Sequence, residues 1–416
     1  MFSEKLHSTI TYYLIILLSL CIPLSRVVSV YIIGLIILNW FLEARFVKRF
    51  IIVRKSFRRK DILLFGLLYI NYLIGLLYTS NLDYGLFSVQ VKASLIIFPI
   101  LFATFNIEFW NINKTITVLI AFLVGSFSSS IISLINATIS YYFSSDPTDF
   151  YYASLSIFHH PSYSALYMTF SIAILIGFVL DSRIKLRKWL LILAIMFVVY
   201  FHVYTVMLSS KAGILALILI FFITVSYVIF VNRRYILGSF LIVAITFLFI
   251  VVLNFFPYSS MRFNPSREIL QNEKDISNET TDGTVERVLI WKYSFELINE
   301  HFFFGVGTGD VINALLEVYD DHEFNDALEK ELNPHNQYLQ TFISLGVVGF
   351  LILIFSLILP AIYSARHKGF IYFCFLVIVA FNFLVESMLE RQAGVVFYAF
   401  FNSFLFMLYL PGRKLD

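Results

Sequence analysis

Long apolar stretches separated by short polar segments make up most of the chain. A helix that crosses a bilayer needs about 20 apolar residues, and twelve stretches of roughly that length occur along the sequence. The pattern therefore predicts an all-α polytopic membrane protein with twelve transmembrane helices. We expect them near 9–25, 27–43, 62–79, 87–105, 115–136, 162–180, 189–207, 212–231, 236–255, 336–360, 370–386 and 394–410.

One long polar segment interrupts this pattern after the ninth stretch. It divides the chain into nine transmembrane helices over 1–255, a large loop over 256–334 and three further helices over 335–416. A loop of this length is usually either functional or disordered. Residues 259–284 are polar and are expected to be mobile, whereas the rest of the loop is expected to fold.

Two amphipathic helices are predicted in the second part of the loop. From 285 to 301, apolar residues recur at helical spacing, and an acidic helix is expected over 311–331. The apolar residues that define the first helix are Val288, Trp291, Phe295 and Ile298.

The distribution of charge predicts the orientation. Only 14% of residues are charged, against about 25% in an ordinary soluble chain. If both termini are cytoplasmic, 20 of the 30 Lys and Arg residues lie inside, as the positive-inside bias requires. The net charge of +3 is then a topology signal and gives no reason to expect nucleic acid. The large loop falls on the outer face.

The segment Pro334–Tyr338 places a histidine and two amides, Asn336 and Gln337, on the first turn of the tenth predicted helix. Polar groups at the mouth of a membrane helix cost free energy, so they are commonly functional. The positive end of the helix dipole favours a neutral imidazole at His335, which could act as a general base. The alternative is an interfacial histidine that hydrogen-bonds the loop.

Three cationic side chains are expected at the same outer boundary. Arg287, beside Trp291, has a guanidinium that suits phosphate oxygens, although a surface ion pair is the commoner role. Lys211 and Lys92 lie near outer helix ends, against the charge bias, and could instead snorkel to the interface. With His335, these cations suit a polyanion at the outer leaflet, such as a pyrophosphate carried by a lipid.

Polar groups at two further helix ends complete the candidate set. His159 and His160 precede the sixth helix, and Tyr163 follows them. Adjacent residues do not share a helix face, so hydrogen bonding to substrate or loop is favoured over metal binding, and no metal site is predicted. Glu386, at the outer end of the eleventh helix, could form an ion pair or orient the histidine base.

These motifs resemble the O-antigen ligase and polymerase superfamily of bacterial membrane proteins. Pro334–Tyr338 followed by Leu345–Gly349 is similar to the family's most specific signature. Arg287 and Trp291 with Gly305–Gly309 are similar to its loop signature. Ser210–Gly213 resembles a Ser-Arg-Gly element in which Lys211 replaces the usual arginine. The likeness also extends to twelve spans, cytoplasmic termini and one large periplasmic loop.

The resemblance implies glycan transfer in the bacterial inner membrane, with an active site facing the periplasm. The donor would be an undecaprenyl-pyrophosphate-linked glycan, and the acceptor a sugar hydroxyl on lipid A-core or on a growing chain. His335 would deprotonate the acceptor, while Arg287 and Lys211 would neutralise the leaving pyrophosphate. The reaction would invert the anomeric carbon without a metal or other cofactor. Further substrate contacts are expected from Lys92, His160, Tyr163, Asn336, Gln337, Glu386 and Trp291.

Three alternatives stay open. A polymerase of the same superfamily would use the same residues. A metal-dependent lipid-linked glycosyltransferase would want an acidic pair in its first outer loop, which here has four residues and no acid. A transporter of lipid-linked glycans would place charged or helix-breaking residues near the middle of the membrane, whereas the candidate charges here cluster at the outer boundary.

Overall fold

A computed structural model describes residues 4–55, 57–256 and 283–408, and this part of the chain is helical with no strand. The helices are α1 Glu4–Cys21, α2 Arg26–Leu42, α3 Phe46–Lys55, α4 Phe57–Leu64, α5 Leu67–Gly75, α6 Leu82–Lys92, α7 Ser94–Thr104, α8 Ile112–Ser144, α9 Tyr152–Leu155, α10 Pro161–Leu180, α11 Lys188–Met207, α12 Lys211–Ser226, α13 Tyr235–Phe255, α14 Gly283–Glu300, α15 Val311–Asp321, α16 Asn325–Glu329, α17 Gln337–Arg366, α18 Phe370–Val385 and α19 Gln392–Met407.

The helical, polytopic architecture is as predicted, but the described residues do not show twelve spans. Seven helices are long and apolar enough to cross a membrane, or up to eight if α2 and α3, which are bent by 97°, form one span. Residues 57–75 divide into two short helices, and α18 and α19 have only 16 residues each. Twelve spans therefore stay a prediction.

Phenylalanine rings fill the centre of the bundle. Residues 393–407 of α19 are all buried, and Phe401 contacts Phe122 of α8 and Phe170 of α10 with ring centroids 5.0 Å apart in each case. Phe400 likewise packs edge-on against Phe98 of α7 at 5.4 Å. Such edge-to-face contacts add to the packing energy of large apolar side chains. The short helix α19 is thus the centre of the core. Helices α7 and α18 pack against it, and α10 reaches it through Phe170.

A break in α17 connects the bundle to the folded part of the large loop. Gly346 has φ +65° and ψ −164°, which interrupts the helix. The segment after α14 runs alongside this break. Val306 N–H donates to Ile343 O at 2.8 Å, Gly307 N–H to Ser344 O at 3.0 Å, and Val347 N–H to Phe302 O at 2.9 Å. The loop backbone therefore satisfies polar groups that the broken helix leaves unpaired.

The helices of the loop form a small core of their own with the first turns of α17. Leu289, Ile290 and Tyr293 of α14 pack with residues of α15 and α16 and with Leu339 and Ile343 of α17. Folding of this part of the loop was predicted, but the buried face was predicted only in part. Ile298 is buried, whereas the side chains of Val288 and Phe295 are exposed.

The acidic helix expected over 311–331 is two helices, α15 and α16. Glu323 between them has a positive φ of 53°, and Phe324 N–H donates to Tyr319 O at 2.8 Å. Phe324 is itself fully buried in the small core. The turn thus lets an aromatic residue leave the helical path and fill the space beneath α14. The stretch 259–284, expected to be mobile, lies almost entirely outside the described residues.

We predict that Gly346→Ala destabilises the protein. The backbone conformation there is nearly exclusive to glycine and would cost a residue with a Cβ about 1–3 kcal/mol. That Cβ would also overlap the carbonyl oxygen of Phe303. The thermal unfolding midpoint in detergent should fall. Gly34→Ala on α2 is the control, because no atom lies within 4 Å of a Cβ there. An unchanged midpoint for Gly346→Ala would contradict the assigned conformation.

Candidate functional site

His335 lies just before α17 and not on its first turn, which corrects the prediction from the sequence. The helix begins at Gln337 and Asn336 is its N-cap, so His335 precedes the cap with a positive φ of 45°. Its backbone N–H donates to Asn333 Oδ1 at 2.9 Å, which holds this conformation. The imidazole is 30% exposed, so it can meet a substrate from outside.

Glu386 is the residue that faces the imidazole. Its Oε1 lies 3.8 Å from His335 Nδ1, within ion-pair range but too long for a hydrogen bond. The Nδ1 atom is buried and has no hydrogen-bond partner among the described residues. A carboxylate in this position can orient the imidazole ring. Of the two roles predicted for Glu386, the geometry favours orienting His335.

Charged groups from four separate segments of the chain interact around Glu386. Burial acts to raise the pKa of this carboxyl, but the imidazoles of His335 and His160 and the guanidinium of Arg287 lower it, and the net shift is downward. The pKa of His160 is lowered by burial and by the positive charges of His335, Arg287 and Arg391, while Glu386 opposes them. The charges of four side chains therefore influence one another electrostatically: His335, Glu386, Arg287 and His160.

Trp291 connects α14 to the histidine loop. Its Nε1–H donates to Pro334 O at 2.9 Å, the carbonyl immediately before His335. Arg287 and Trp291 lie four residues apart on α14 and hence on one side of that helix. Trp291 was predicted to contact substrate. Its indole N–H instead holds the peptide that precedes His335, while the charge of Arg287, on the same side of α14, acts on Glu386 and His160.

The two adjacent histidines point in different directions, as their spacing predicts. His160 caps α10, and its Nδ1 accepts from Ser162 N–H at 3.4 Å. The His159 ring is buried and its Nε2 lies 3.1 Å from Ile22 O, in the turn between α1 and α2. Burial lowers the pKa of His159 to about 4. Only His160 belongs to the cluster.

Tyr163 lies in the first turn of α10 and is almost fully buried. Its hydroxyl has no hydrogen-bond partner among the described residues. A buried hydroxyl without a partner costs free energy, so a substrate hydroxyl or a water would stabilise it. Tyr163 therefore keeps its predicted place as a candidate substrate contact.

Lys211 is the first residue of α12, which packs against α10. Ser210 caps this helix by accepting from Gly213 N–H at 3.2 Å. A Cβ at Gly213 would meet the Cβ of Ala165 at 2.5 Å, so the two helix starts lie close together. Lys211 therefore begins a helix that packs against α10, the helix that carries Tyr163. Its contact with phosphate stays a prediction.

Both amides predicted to contact substrate have internal partners. Asn336 Oδ1 accepts from the backbone N–H groups of Tyr338 and Leu339 at 2.9 and 3.2 Å. The Gln337 side chain is fully buried, accepts from Leu389 N–H at 2.6 Å and donates to Thr341 Oγ1 at 3.0 Å. These amides hold the start of α17 in place. Direct substrate binding by them has no support in the structure.

Lys92 also differs from the prediction of an available cation. Its side chain is 1% exposed and its Nζ lies 2.7 Å from Glu390 Oε2. Glu390 and Ser387, in the turn between α18 and α19, were not predicted as site residues from the sequence. The available signal was Lys92 itself, because a cation in an apolar helix needs a buried counter-charge.

Over the described residues, no group of three or more His, Cys, Asp or Glu side chains lies in an arrangement that could hold a metal ion. Cys21 and Cys374 are both buried and unpaired by disulfide. The cluster around Glu386 is thus made of imidazole, carboxylate and guanidinium. These groups can exchange a proton and bind an anion.

In a comparison with known families, residues 196–354 match the family model described as O-antigen ligase. The resemblance to the O-antigen ligase superfamily is confirmed over this segment. The matched segment includes Lys211, Arg287, Trp291 and His335, whereas Lys92, His160, Tyr163 and Glu386 lie outside it. None of the curated proteins matches the chain.

We predict that Glu386→Gln flattens the acid dependence of stability. Since the pKa of Glu386 in the folded state lies below its ordinary value, the stability it contributes is present above that ordinary value. It is lost as pH falls through the lowered pKa. Unfolding midpoints between about pH 6 and about pH 3 measure this loss. Glu300→Gln, at an exposed carboxylate of α14, is the control. Equal acid sensitivity of wild type and Glu386→Gln would contradict the assignment.

Proposed function

We propose that the protein is an inverting, metal-independent glycosyltransferase of the O-antigen ligase type. It takes a glycan from an undecaprenyl-pyrophosphate-linked donor and joins it to a sugar hydroxyl of lipid A-core. It lies in the bacterial inner membrane with twelve spans, both termini in the cytoplasm and residues 256–334 in the periplasm. The family match and the apolar helices support this setting.

The observation that carries the proposal is the convergence of His335, Glu386 and Arg287. Glu386 faces Nδ1 of the imidazole at 3.8 Å, and the Arg287 guanidinium acts on the same carboxylate. A general base oriented by a carboxylate, with a cation beside it, suits glycosyl transfer from a pyrophosphate donor to a hydroxyl. These residues come from distant parts of the chain, so their proximity is a product of the fold.

The proposed step has a defined proton and leaving group. With Nδ1 facing Glu386, Nε2 is the ring nitrogen left to take the proton of the acceptor hydroxyl. The hydroxyl oxygen then bonds the anomeric carbon from the face opposite the departing oxygen, which inverts the configuration. The bond from that carbon to the pyrophosphate breaks, and the phosphate oxygens keep its electrons. Arg287 and Lys211 stabilise the negative charge that develops there.

The family also includes polymerases, and the same residues would serve that reaction. Both reactions move a lipid-linked glycan to a sugar hydroxyl and differ only in which molecule bears the hydroxyl. The described site has no feature that distinguishes the two acceptors. The ligase assignment follows the description of the matched family model.

We predict that His335→Ala lowers glycan transfer about a hundredfold or more, because the acceptor loses its base. Transfer is measured with purified protein, lipid-linked donor and acceptor. His301→Ala is the matched control, since residue 301 is exposed and directly follows α14, about 21 Å along that helix from position 287. His335→Ala protein must still insert into the membrane. Transfer at the wild-type rate would refute the assignment of the base.

We predict that deletion of the gene removes the entire ladder of long lipopolysaccharide from a gel and leaves the core intact. This follows because a ligase makes the only bond between glycan and core in the proposed reaction. The chain expressed from a plasmid should restore the ladder, and the His335→Ala form should not. A deletion strain that keeps one repeat per core would instead identify a polymerase.

A further inference from the structure

A buried ion pair joins α6 to the turn that carries Glu386. Lys92 Nζ lies 2.7 Å from Glu390 Oε2 and donates to Ser88 Oγ at 2.7 Å. The ammonium group also lies 4.8 Å from the ring centroid of Tyr72. The exposed fractions of the two charged side chains are 1% for Lys92 and 13% for Glu390. A pair this far from water makes a rigid connection between its two segments.

The pair belongs to a closed circuit of polar contacts. Next to Glu390, Leu389 N–H donates to Gln337 Oε1 at 2.6 Å. Gln337 Nε2 donates to Thr341 Oγ1 at 3.0 Å, and that hydroxyl lies 3.5 Å from Tyr72 Oη. The contact between the Tyr72 ring and the Lys92 ammonium group closes the circuit. The circuit ties together α5, α6, the first turns of α17 and the turn between α18 and α19.

The same turn carries two residues that act at the candidate base. Glu386 faces the His335 imidazole at 3.8 Å. Ser387 Oγ accepts from Asn336 N–H at 3.2 Å, one residue after the histidine. Any movement of the turn therefore changes the distance between Glu386 and His335.

We propose that the Lys92–Glu390 pair positions the turn at 386–391, and through it sets Glu386 against His335. Lys92 is then a positioning residue and not a ligand of the donor's pyrophosphate. This inference rests on the proposed function for the identity of the reaction. The effect of the pair on the position of the turn depends on the fold alone and not on the reaction.

Burial and charge argue against direct phosphate binding by Lys92. To bind a phosphate, the ammonium would have to leave Glu390 or share the site with its carboxylate. The first leaves a buried carboxylate without a partner, and the second places two anions together. Both are unfavourable in a site that excludes water. Arg287 near the exposed imidazole of His335 is a more accessible cation for that role.

Removal of one partner and removal of both have different consequences, and this difference provides the test. Lys92→Met leaves the Glu390 carboxylate buried and unpaired, which displaces the turn. Replacing both partners by apolar side chains of similar volume is often tolerated. A positioning pair therefore predicts recovery in the Lys92→Met/Glu390→Met double variant. A donor ligand predicts none, because the phosphate contact stays absent.

The experiment compares wild type, Lys92→Met, Lys92→Arg and the double variant in the purified transfer assay. For Lys92→Met we expect kcat to fall about tenfold or more while the donor KM changes by less than about twofold. Lys92→Arg keeps the charge and should restore part of kcat. The double variant should return to within about threefold of wild type.

Hydrogen exchange of the peptides that cover 384–392 gives a readout that needs no activity. Exchange should be faster in Lys92→Met and return toward wild type in the double variant. Unchanged exchange in Lys92→Met would overturn the inference. So would a donor KM that rises about tenfold and does not recover in the double variant. Wild-type protein that transfers no glycan would reject the proposed function, while exchange would still decide whether the pair holds the turn.

Discussion

Unpaired backbone groups at a helix break are the constraint on which the arrangement of this protein depends. In a bilayer, each backbone N–H and C=O must find a partner inside the protein. Gly346 interrupts α17, and the loop from Phe302 to Gly307 supplies the missing partners through its own backbone. Gly305, with φ +71°, lies so close to Ser344 and Leu345 that a Cβ would meet their backbone atoms at 2.5 and 2.6 Å. Gly305 of the loop signature and Gly346 of the α17 signature thus each pack against the backbone of the other segment, which gives both a structural role.

Once the loop is fixed at the break, the position of the helices in the loop follows. Thr308 Oγ1 donates to Tyr72 O at 2.7 Å, and both Asp310 carboxylate oxygens accept backbone N–H groups at 2.7 Å from Ser80 and Asn81. The small core then sets α14 against the first turns of α17. Trp291 reaches Pro334 from this position, and Arg287 comes to the same corner as His335. The groups proposed for base and leaving-group stabilisation thus depend on backbone pairing some ten residues along α17.

The sequence predicts the elements of this fold better than their contacts. Apolar runs identify the helices, because lipid and core both require unbroken apolar surface. The face that α14 buries was only partly predicted, since in a membrane-proximal helix apolar side chains such as Val288 and Phe295 can be exposed. Helical periodicity alone does not distinguish an apolar side chain that meets lipid from one that meets the core. Apolar length likewise does not fix the number of spans where short helices such as α18 and α19 are buried by their neighbours.

The candidate site shows the same limit. His335, Arg287 and Glu386 stand out in the sequence as polar groups at membrane boundaries, and the fold brings them together. Gln337 and Lys92 have partners far away in the chain, which the sequence does not indicate. The Asn336 side chain instead caps its own helix. Lys92 and Glu390 are 298 residues apart, and charge patterning along one helix gives no indication of such a partner. Lys92 was predicted to be available for substrate, whereas in the fold it forms an ion pair with the Glu390 carboxylate.

The most direct test of the account is a cryo-electron microscopy structure of the protein in lipid nanodiscs with a non-transferable lipid-linked pyrophosphate sugar. We expect density for the pyrophosphate within hydrogen-bonding distance of the Arg287 guanidinium. We also expect the anomeric carbon of the sugar to face the His335 imidazole. A head group bound at another surface, with neither side chain in contact, would contradict it.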